Sequence, residues 1–502
     1  MEGGPAAAAD VSRRHLGAGV CRQAAGDRGE GMAPAMSSRP VDALEWKGEG
    51  VTIAQVLDAL TEFRRKFAQA QSTDDDHPRP RNSVMTLIAV AATEAEEKLA
   101  QRICTAIAVH HPSLAIVVRD QANVQPGRID ASITAPPTVH VTEATAAGTA
   151  SPAHYELVTL QVRGPAATHL AGLVDPLLVS GVPTYIWWLG TPPFGSKELR
   201  DALDIADALV VDSAGFARPY HSFLSLADTS AHAHRRLGLA DLQWARLDPW
   251  RESIAQFFAP EARRPFLSGI SEIGIDYAGA GRGNRIPSAT LIGWISSALG
   301  WKLQRAVGGA GGVVSAQFEA DRWRIVDVAF RSVAKPGLVE GEVGTVRIVG
   351  TAGGTTFRLS IARAPERIRH PTPDLGPAPF QHQHATGGED DAGMEIAQRK
   401  AVQHREMAFQ NRDSLHHTAT GDPPGESVPP RPTVFVRERR RADNSMVLLT
   451  LIDIGGADTL RHVQRIESDD DASLLVELLA LGAHDQVFAR SLAAGAELMR
   501  AL

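Results

Sequence analysis

Cysteine is nearly absent: the chain has two, Cys21 and Cys104, in 502 residues. A disulfide framework and a cysteine-ligated zinc site are thereby excluded. No apolar run approaches the ~20 residues that a membrane helix needs. The basic excess of a general nucleic-acid binder is missing too, because 51 Lys and Arg stand against 58 Asp and Glu, a formal charge of −7. Tryptophan is scarce, with eight in the chain, which makes the adjacent pair Trp187–Trp188 in "VPTYIWWLG" conspicuous. What is present is ordinary globular material: 43% hydrophobic and 22% charged residues, in a length sufficient for two or three cores.

Arg13 and Arg14 in "SRRHLGAGV" look like the start of a twin-arginine export signal. Arg22, Asp27 and Arg28 then interrupt the apolar region such a signal requires, so the expected location is cytoplasmic. Residues 1–50 read as a disordered Gly/Ala-rich tail.

From Thr52 onward, apolar strands alternate with amphipathic helices. Val56, Leu60, Phe63 and Phe67 lie at helical spacing, "SVMTLIAVAA" reads as a buried strand, and a helix is expected at about 94–110. Strands at 114–118, 155–162, 182–190 and 208–213 follow, with helices expected in "GPAATHLAGLVDPLLVSG" and "SKELRDALDIA" between them. This rhythm predicts a mostly parallel α/β sheet covered on both faces. Within it, Ile186 and Trp188 point to one face and Tyr185 and Trp187 to the other, the pattern of a central strand buried twice. The pair also ends its strand just before "GTPPFG", where open α/β sheets place their sites.

In "DLQWARLDPWRESIAQFF" (241–258), Asp248 is expected to cap a helix with Pro249 in its first turn. Trp250, Ile254, Phe257 and Phe258 share one face, with Arg251 on the accessible side. Residues 51–262 form the expected first domain. The second, 263–502, is expected to be α+β: a strand at 267–279, a helix at 288–301, an antiparallel meander over 312–361 and C-terminal helices at about 471–481 and 484–500. A Pro-, Gly- and His-rich flexible insertion is expected at about 364–432, with "TVFVRERR" and "SMVLLTLID" as a hairpin after it.

No catalytic set assembles. "GAGRG" (279–283) and "GGAGG" (308–312) lack the strand–helix context of a dinucleotide fingerprint and read as hairpin turns. "VVDSAGF" has Val211 where a nucleophile elbow needs glycine, which leaves Ser213 a strand-end or capping residue. The histidine pairs at 110/111, 232/234, 382/384 and 416/417 have no third ligand at fixed spacing, so no metal is expected. "RERRR" (437–441) reads as a solvated edge strand. Composition and motif therefore imply no cofactor and no nucleic-acid or membrane partner.

Taken in order, "RNSVMTLIAVA", "HHPSLAIVV", "DPLLVSGVPTYIWWLGTPP", "ADALVVDS", "DLQWARLDPWRESIAQFF", "LIGWISSALGW" and "LLVELLALGAHDQVFARSL" resemble the glucose-6-phosphate dehydrogenase assembly protein family, OpcA. The resemblance runs from about residue 80 to the C-terminus, and its most specific parts are the W-W strand and the D-L-x-W-x-R-x-x-x-W-R block. The resemblance implies a non-catalytic partner that promotes the active oligomer of glucose-6-phosphate dehydrogenase in the oxidative pentose phosphate route. The matching positions are Trp187, Trp188, Asp241, Trp244, Arg246, Trp250 and Arg251. Of these, Trp187, Trp188, Arg246 and Arg251 are the expected partner-binding residues, Trp188 being the accessible member of its pair. Ser180–Pro183 departs from the family's Asp-Leu-Pro, Leu114 replaces an arginine, and His154–Tyr155 stands where a cysteine often precedes Glu156. The last difference argues against thiol regulation here. The competing reading is a sugar-phosphate- or nucleotide-binding enzyme or sensor using the carboxyl end of the sheet.

Overall fold

The structure, a computed structural model, describes residues 44–71, 83–108, 110–135, 155–232, 237–279, 283–309, 312–335, 337–365, 446–457, 459–466, 471–480 and 485–502. The expected tail up to residue 43, almost the whole of the 364–432 insertion, the 433–440 strand, Cys21 and the histidines beyond His232, save His462, lie outside them. Residues Val41–Leu502 form one contact unit.

Met85–Ala91 is apolar save for Thr86 and buried at every position, as a strand covered on both faces must be. It is β2 of the series β1 (Leu44–Gly48), α1 (Ile53–Gln71), β2, α2 (Glu94–Ile107), β3 (Ser113–Gln121), β4 (Arg128–Ala135) and β5 (Tyr155–Arg163). The series continues through α3 (Leu170–Val174), β6 (Thr184–Trp188), α4 (Lys197–Asp204), β7 (Ala208–Val211), α5 (Pro219–His232) and β8 (Gly238–Asp241). The eight strands lie in the order β1-β4-β5-β3-β2-β6-β7-β8. β5 through β8 in that order pair in parallel, while β1 and β4 add antiparallel at one edge. Counted among the parallel strands alone, the order is 3-2-1-4-5-6, that of a doubly wound nucleotide-binding sheet, with its reversal between β2 and β6.

The helix expected across "GPAATHLAGLVDPLLVSG" is instead three short pieces, a 3-10 turn at Pro165–Thr168, α3, and a second 3-10 turn at Asp175–Leu177. Pro165 opens the first of these turns and Pro176 is the second residue of the other, positions where a missing N–H is tolerated. Gly164 precedes them at φ 77°, and a Cβ there would stand 2.8 Å from Gly127 Cα.

A second series follows: α6 (Leu242–Ala245), α7 (Asp248–Phe258), β9 (Ile270–Ala278), α8 (Ile286–Leu299), β10 (Lys302–Gly308), β11 (Val314–Ala320), β12 (Arg324–Val333), β13 (Val343–Ala352) and β14 (Thr355–Pro365). It closes with β15 (Met446–Ile454), β16 (Leu460–Ile466), α9 (Asp471–Ala480) and α10 (Gln486–Arg500). Its eight strands are ordered β10-β11-β12-β9-β13-β14-β15-β16. Every pairing is antiparallel except β12 with β9, so the expected meander is opened in its middle by an inserted first strand. "SMVLLTLID" is strand β15, flanked by β14 and β16. Leu247, not Asp248, is the residue before α7; Asp248 is its first residue and pairs with Arg251 one turn on.

Trp188 packs in the core on one face of the first sheet with α1, α3 and α5, and Trp187 packs on the other with α2 and α9. The helices α8 and α10 approach closely through glycine: a Cβ on Gly293 would lie 2.2 Å from Ser491 O, and one on Gly495 2.9 Å from Ala289 O. Through this contact α10 contributes Phe488, Leu492 and Ala496 to the first core and Leu498 to the second. Among the described residues no helix is long and apolar enough to cross a membrane.

Candidate functional site

In a doubly wound sheet, ligands sit beyond the carboxyl ends of the strands where the order reverses, with phosphate on the N–H groups of the first helix. Here that place lies after β2, before α2, beside the end of β6. It is built against phosphate. The stretch Thr93-Glu94-Ala95-Glu96-Glu97 has no glycine to let a phosphate approach. Thr93 Oγ1 accepts from Glu96 N at 3.2 Å, and Glu96 Oε2 accepts from Ala92 N and Thr93 N at 2.9 and 3.0 Å. This reciprocal capping box fills the helix N-terminus with the protein's own carboxylate. Next to it, buried Glu97 pairs with Arg119 at 3.0 Å and accepts from Gln161 Nε2 at 2.9 Å. Three glutamates in the first turn suit the helix dipole and repel a pyrophosphate. The T-x-x-E signature was visible in the sequence; the strand order that gives it meaning was not.

Trp187 and Trp188 end β6 at this crevice but do not line an open surface. They are 3% and 6% exposed. The accessibility expected for Trp188 is therefore corrected. Parallel neighbours β2 and β7 close both edges of β6, and Leu189 N extends the ladder to Val90 O, so the strand's last residues stay inside the sheet.

The 241–251 block builds a second polar centre at the ends of β7 and β8. Asp241 caps α6: its Oδ1 accepts from Ser213 N and Gln243 N, both at 3.0 Å, and its Oδ2 accepts from Ser213 Oγ at 2.6 Å. Full burial, with Asp212 next, pushes the Asp241 carboxyl up to about 6 despite those three donors. Ser213 is thus a structural partner of Asp241. Arg246 grips Asp212 with two bonds, at 2.7 and 3.0 Å, and Asp471 of α9 with a third at 2.8 Å. Burial opposes its charge, but Asp212 and then Asp471 outweigh that and raise its pKa. Arg246, expected to face a partner, is spent on an internal clamp between β7 and α9.

Arg251 is corrected in the same way. Its guanidinium lies 3.4 Å from the centre of the Trp244 ring, pairs with Asp248, and is only 16% exposed. Burial lowers its pKa to about 10, against the pull of Asp485 and Glu477. Trp244 Nε1 donates to Asp485 Oδ2 at 2.8 Å, and Asp485 caps α10. A cavity of about 220 Å³ lies among Leu239, Trp244, Asp248, Arg251, Leu478 and Asp485. Trp250 is core, as expected.

Cys104 is buried, and burial pushes its thiol up to about 12. Among the described residues no group of His, Cys, Asp and Glu could hold a metal ion.

Two family models match the chain: the glucose-6-phosphate dehydrogenase subunit N-terminal domain over residues 104–228 and its C-terminal domain over residues 237–492. A putative OxPP cycle protein OpcA of Synechocystis is 33% identical over 146 residues, 29% of this chain and 30% of that protein. Its counterpart in Synechococcus elongatus is 32% identical over 197 residues, 38% of this chain and 43% of that protein. The matches thus span less than half the length of these relatives. Among solved structures, a UDP-N-acetylglucosamine 3-dehydrogenase from Acidithiobacillus ferrooxidans is 11% identical with a TM-score of 0.36, over 84% of this chain and 98% of that one. A likeness of that size carries nothing into the functional reading. The two matched models, which together cover most of the chain in the order of its two sheets, place it in the OpcA glucose-6-phosphate dehydrogenase assembly family.

Proposed function

We propose that this chain is a non-catalytic partner of glucose-6-phosphate dehydrogenase that promotes the enzyme's active oligomer in the cytoplasm. Family membership supports the partner. The observation that carries the non-catalytic half is the occupied helix N-terminus: Glu96 takes two N–H groups at the place where a doubly wound sheet would bind a dinucleotide phosphate. The competing nucleotide-binding reading needs that place vacant. The hydrogen bonds of the 241–251 block also run inward, and serve to hold α9 and the cap of α10 against the first sheet and α6. The test is a titration of the purified chain with NADP and with NAD, followed by an assay with glucose 6-phosphate. No saturable binding and no turnover are expected. Micromolar binding that strengthens in Glu96→Gln would reverse the reading, because it would show a working phosphate site restrained by that carboxylate.

A further inference from the structure

The second sheet has two unlike faces. One carries Ile273, Ile275, Val326, Val328, Ile348 and Leu359 into the core with α7 and α8. Along the other, alternate residues are exposed or half-buried: the burial of β11 and β12 alternates strictly over Val314–Phe318 and Ile325–Phe330. The register aligns this open face in rows. One runs Gln317, Asp327, Glu272, Val349, Arg358, Asp453 across six strands. The next runs Ser315, Ala329, Gly274, Arg347, Ser360, Leu451.

Charge on this face is divided. On β11, β12 and β9, Glu319, Asp327 and Glu272 lie on it, while Asp276 is buried and held by Arg331 and by Arg347 of β13. On β13 to β16, with Arg347 spent on Asp276, Arg358, Arg461 and Arg465 stand against Asp453. Val463 and Ile325 are 50% and 44% exposed on the same face, and small residues hold its middle. The boundary between the halves falls between β9 and β13, the centre of the eight-strand order.

We propose that this open face binds a second copy of the chain. A two-fold axis parallel to the strands at that centre lays each acidic half over the partner's basic half. It sets Asp327 opposite the partner's Arg358 twice, because both lie in one row at equal distance from the centre. The contact is isologous, so one patch serves both copies. Aligned sheets pack at about 30°, the angle that their own twist sets. Lys302 and Arg305, which would meet like charge, lie on edge strand β10, where the twist of the two sheets separates them. Eight strands spaced about 4.8 Å and about 20 Å long offer on the order of 800 Å², which is about what each partner covers in a standard interface. Trp323, 84% exposed at φ 62° in the β11–β12 turn, stands at the rim, and tryptophan is the residue type most often found to anchor interfaces.

Sedimentation of the full chain across micromolar concentrations tests this. A reversible dimer is expected, weakened at least about tenfold by Arg358→Glu or by Asp327→Arg, since each places like charges opposite each other twice. The double variant Asp327→Arg/Arg358→Asp restores the pair with its ends exchanged and should dimerise like the wild type. Far-ultraviolet circular dichroism and the melting temperature of each single variant check that it folds. A dimer indifferent to these reversals has its interface elsewhere, and the proposal fails. It fails equally for a chain that stays monomeric. In that event, loss of dehydrogenase stimulation in Arg358→Glu assigns the face to the dehydrogenase, and dimerisation only after deletion of residues 375–425 assigns it to the chain's own segment.

Discussion

Trp188→Ala separates packing from docking at the W-W strand. The side chain is 6% exposed in the core between β6 and the helices α1, α3 and α5. A buried tryptophan removes on the order of 200 Å² from water, which at about 25 cal/mol per Å² is ~5 kcal/mol of transfer free energy. Partial collapse of the cavity reduces the loss, so about 3–5 kcal/mol is expected. Much of a domain's stability, about 5–15 kcal/mol, would go with it. The assay is urea unfolding followed by far-ultraviolet circular dichroism at low temperature, with Trp188→Phe in parallel. Phenylalanine keeps most of the apolar area and should lose clearly less. If Trp188→Ala unfolds within about 1 kcal/mol of wild type while stimulation of the dehydrogenase falls, the residue is a docking element and the burial argument is wrong.

Arg246→Met leaves Asp212 and Asp471 facing each other without their shared cation; since both are about a third exposed, a loss of about 2–3 kcal/mol is expected rather than the ~3–5 of a fully buried pair. Asp212→Asn added to it should recover part of that loss in the same denaturant titration. Asp241→Asn can keep the hydrogen bonds of Asp241 with Ser213 and Gln243 while removing a buried charge. Because the folded carboxyl is raised to about 6, its contribution is full below the unfolded value and lost as pH rises through 6, so the variant's stability relative to wild type should climb between pH ~4 and ~6 and then level. A flat difference would show that the carboxyl titrates normally. Cys104 should resist a thiol reagent in the native chain and react only on unfolding, read by mass spectrometry of its peptide, since a buried thiol raised to about 12 supplies almost no thiolate.

The doubly buried character of β6 was legible because Tyr185 to Trp188 are apolar on both sides of the pleat. Its neighbours were not: that β2 and β6 adjoin is a matter of long-range pairing, which no local period encodes. Strands β1, β4, β8, β10 and β16 lie at or next to a sheet edge and carry no long apolar run to mark them, as in "LEWKG", "KLQRAVG" and "LRHVQRI". The proline-bearing turns at 165 and 176 mimicked one helix because apolar spacing survives a broken backbone. Arg246 and Arg251, expected to bind a partner, the second from the accessible side of its helix, are 12% and 16% exposed. Arg246 reaches Asp471 of α9, 225 positions away in the chain, and the Trp244 ring under Arg251 is held by Asp485 at the cap of α10, so only the Asp248 pair of Arg251 is local.

We propose that the chain acts through the dehydrogenase and not on sugar phosphate itself. The direct measurement is the native mass and steady-state activity of purified glucose-6-phosphate dehydrogenase with and without the chain, at fixed enzyme concentration. The prediction is a saturable rise in activity that coincides with a shift to a larger oligomer, while the chain alone oxidises nothing. Unchanged mass and activity at saturating chain, or turnover by the chain on its own, would contradict it.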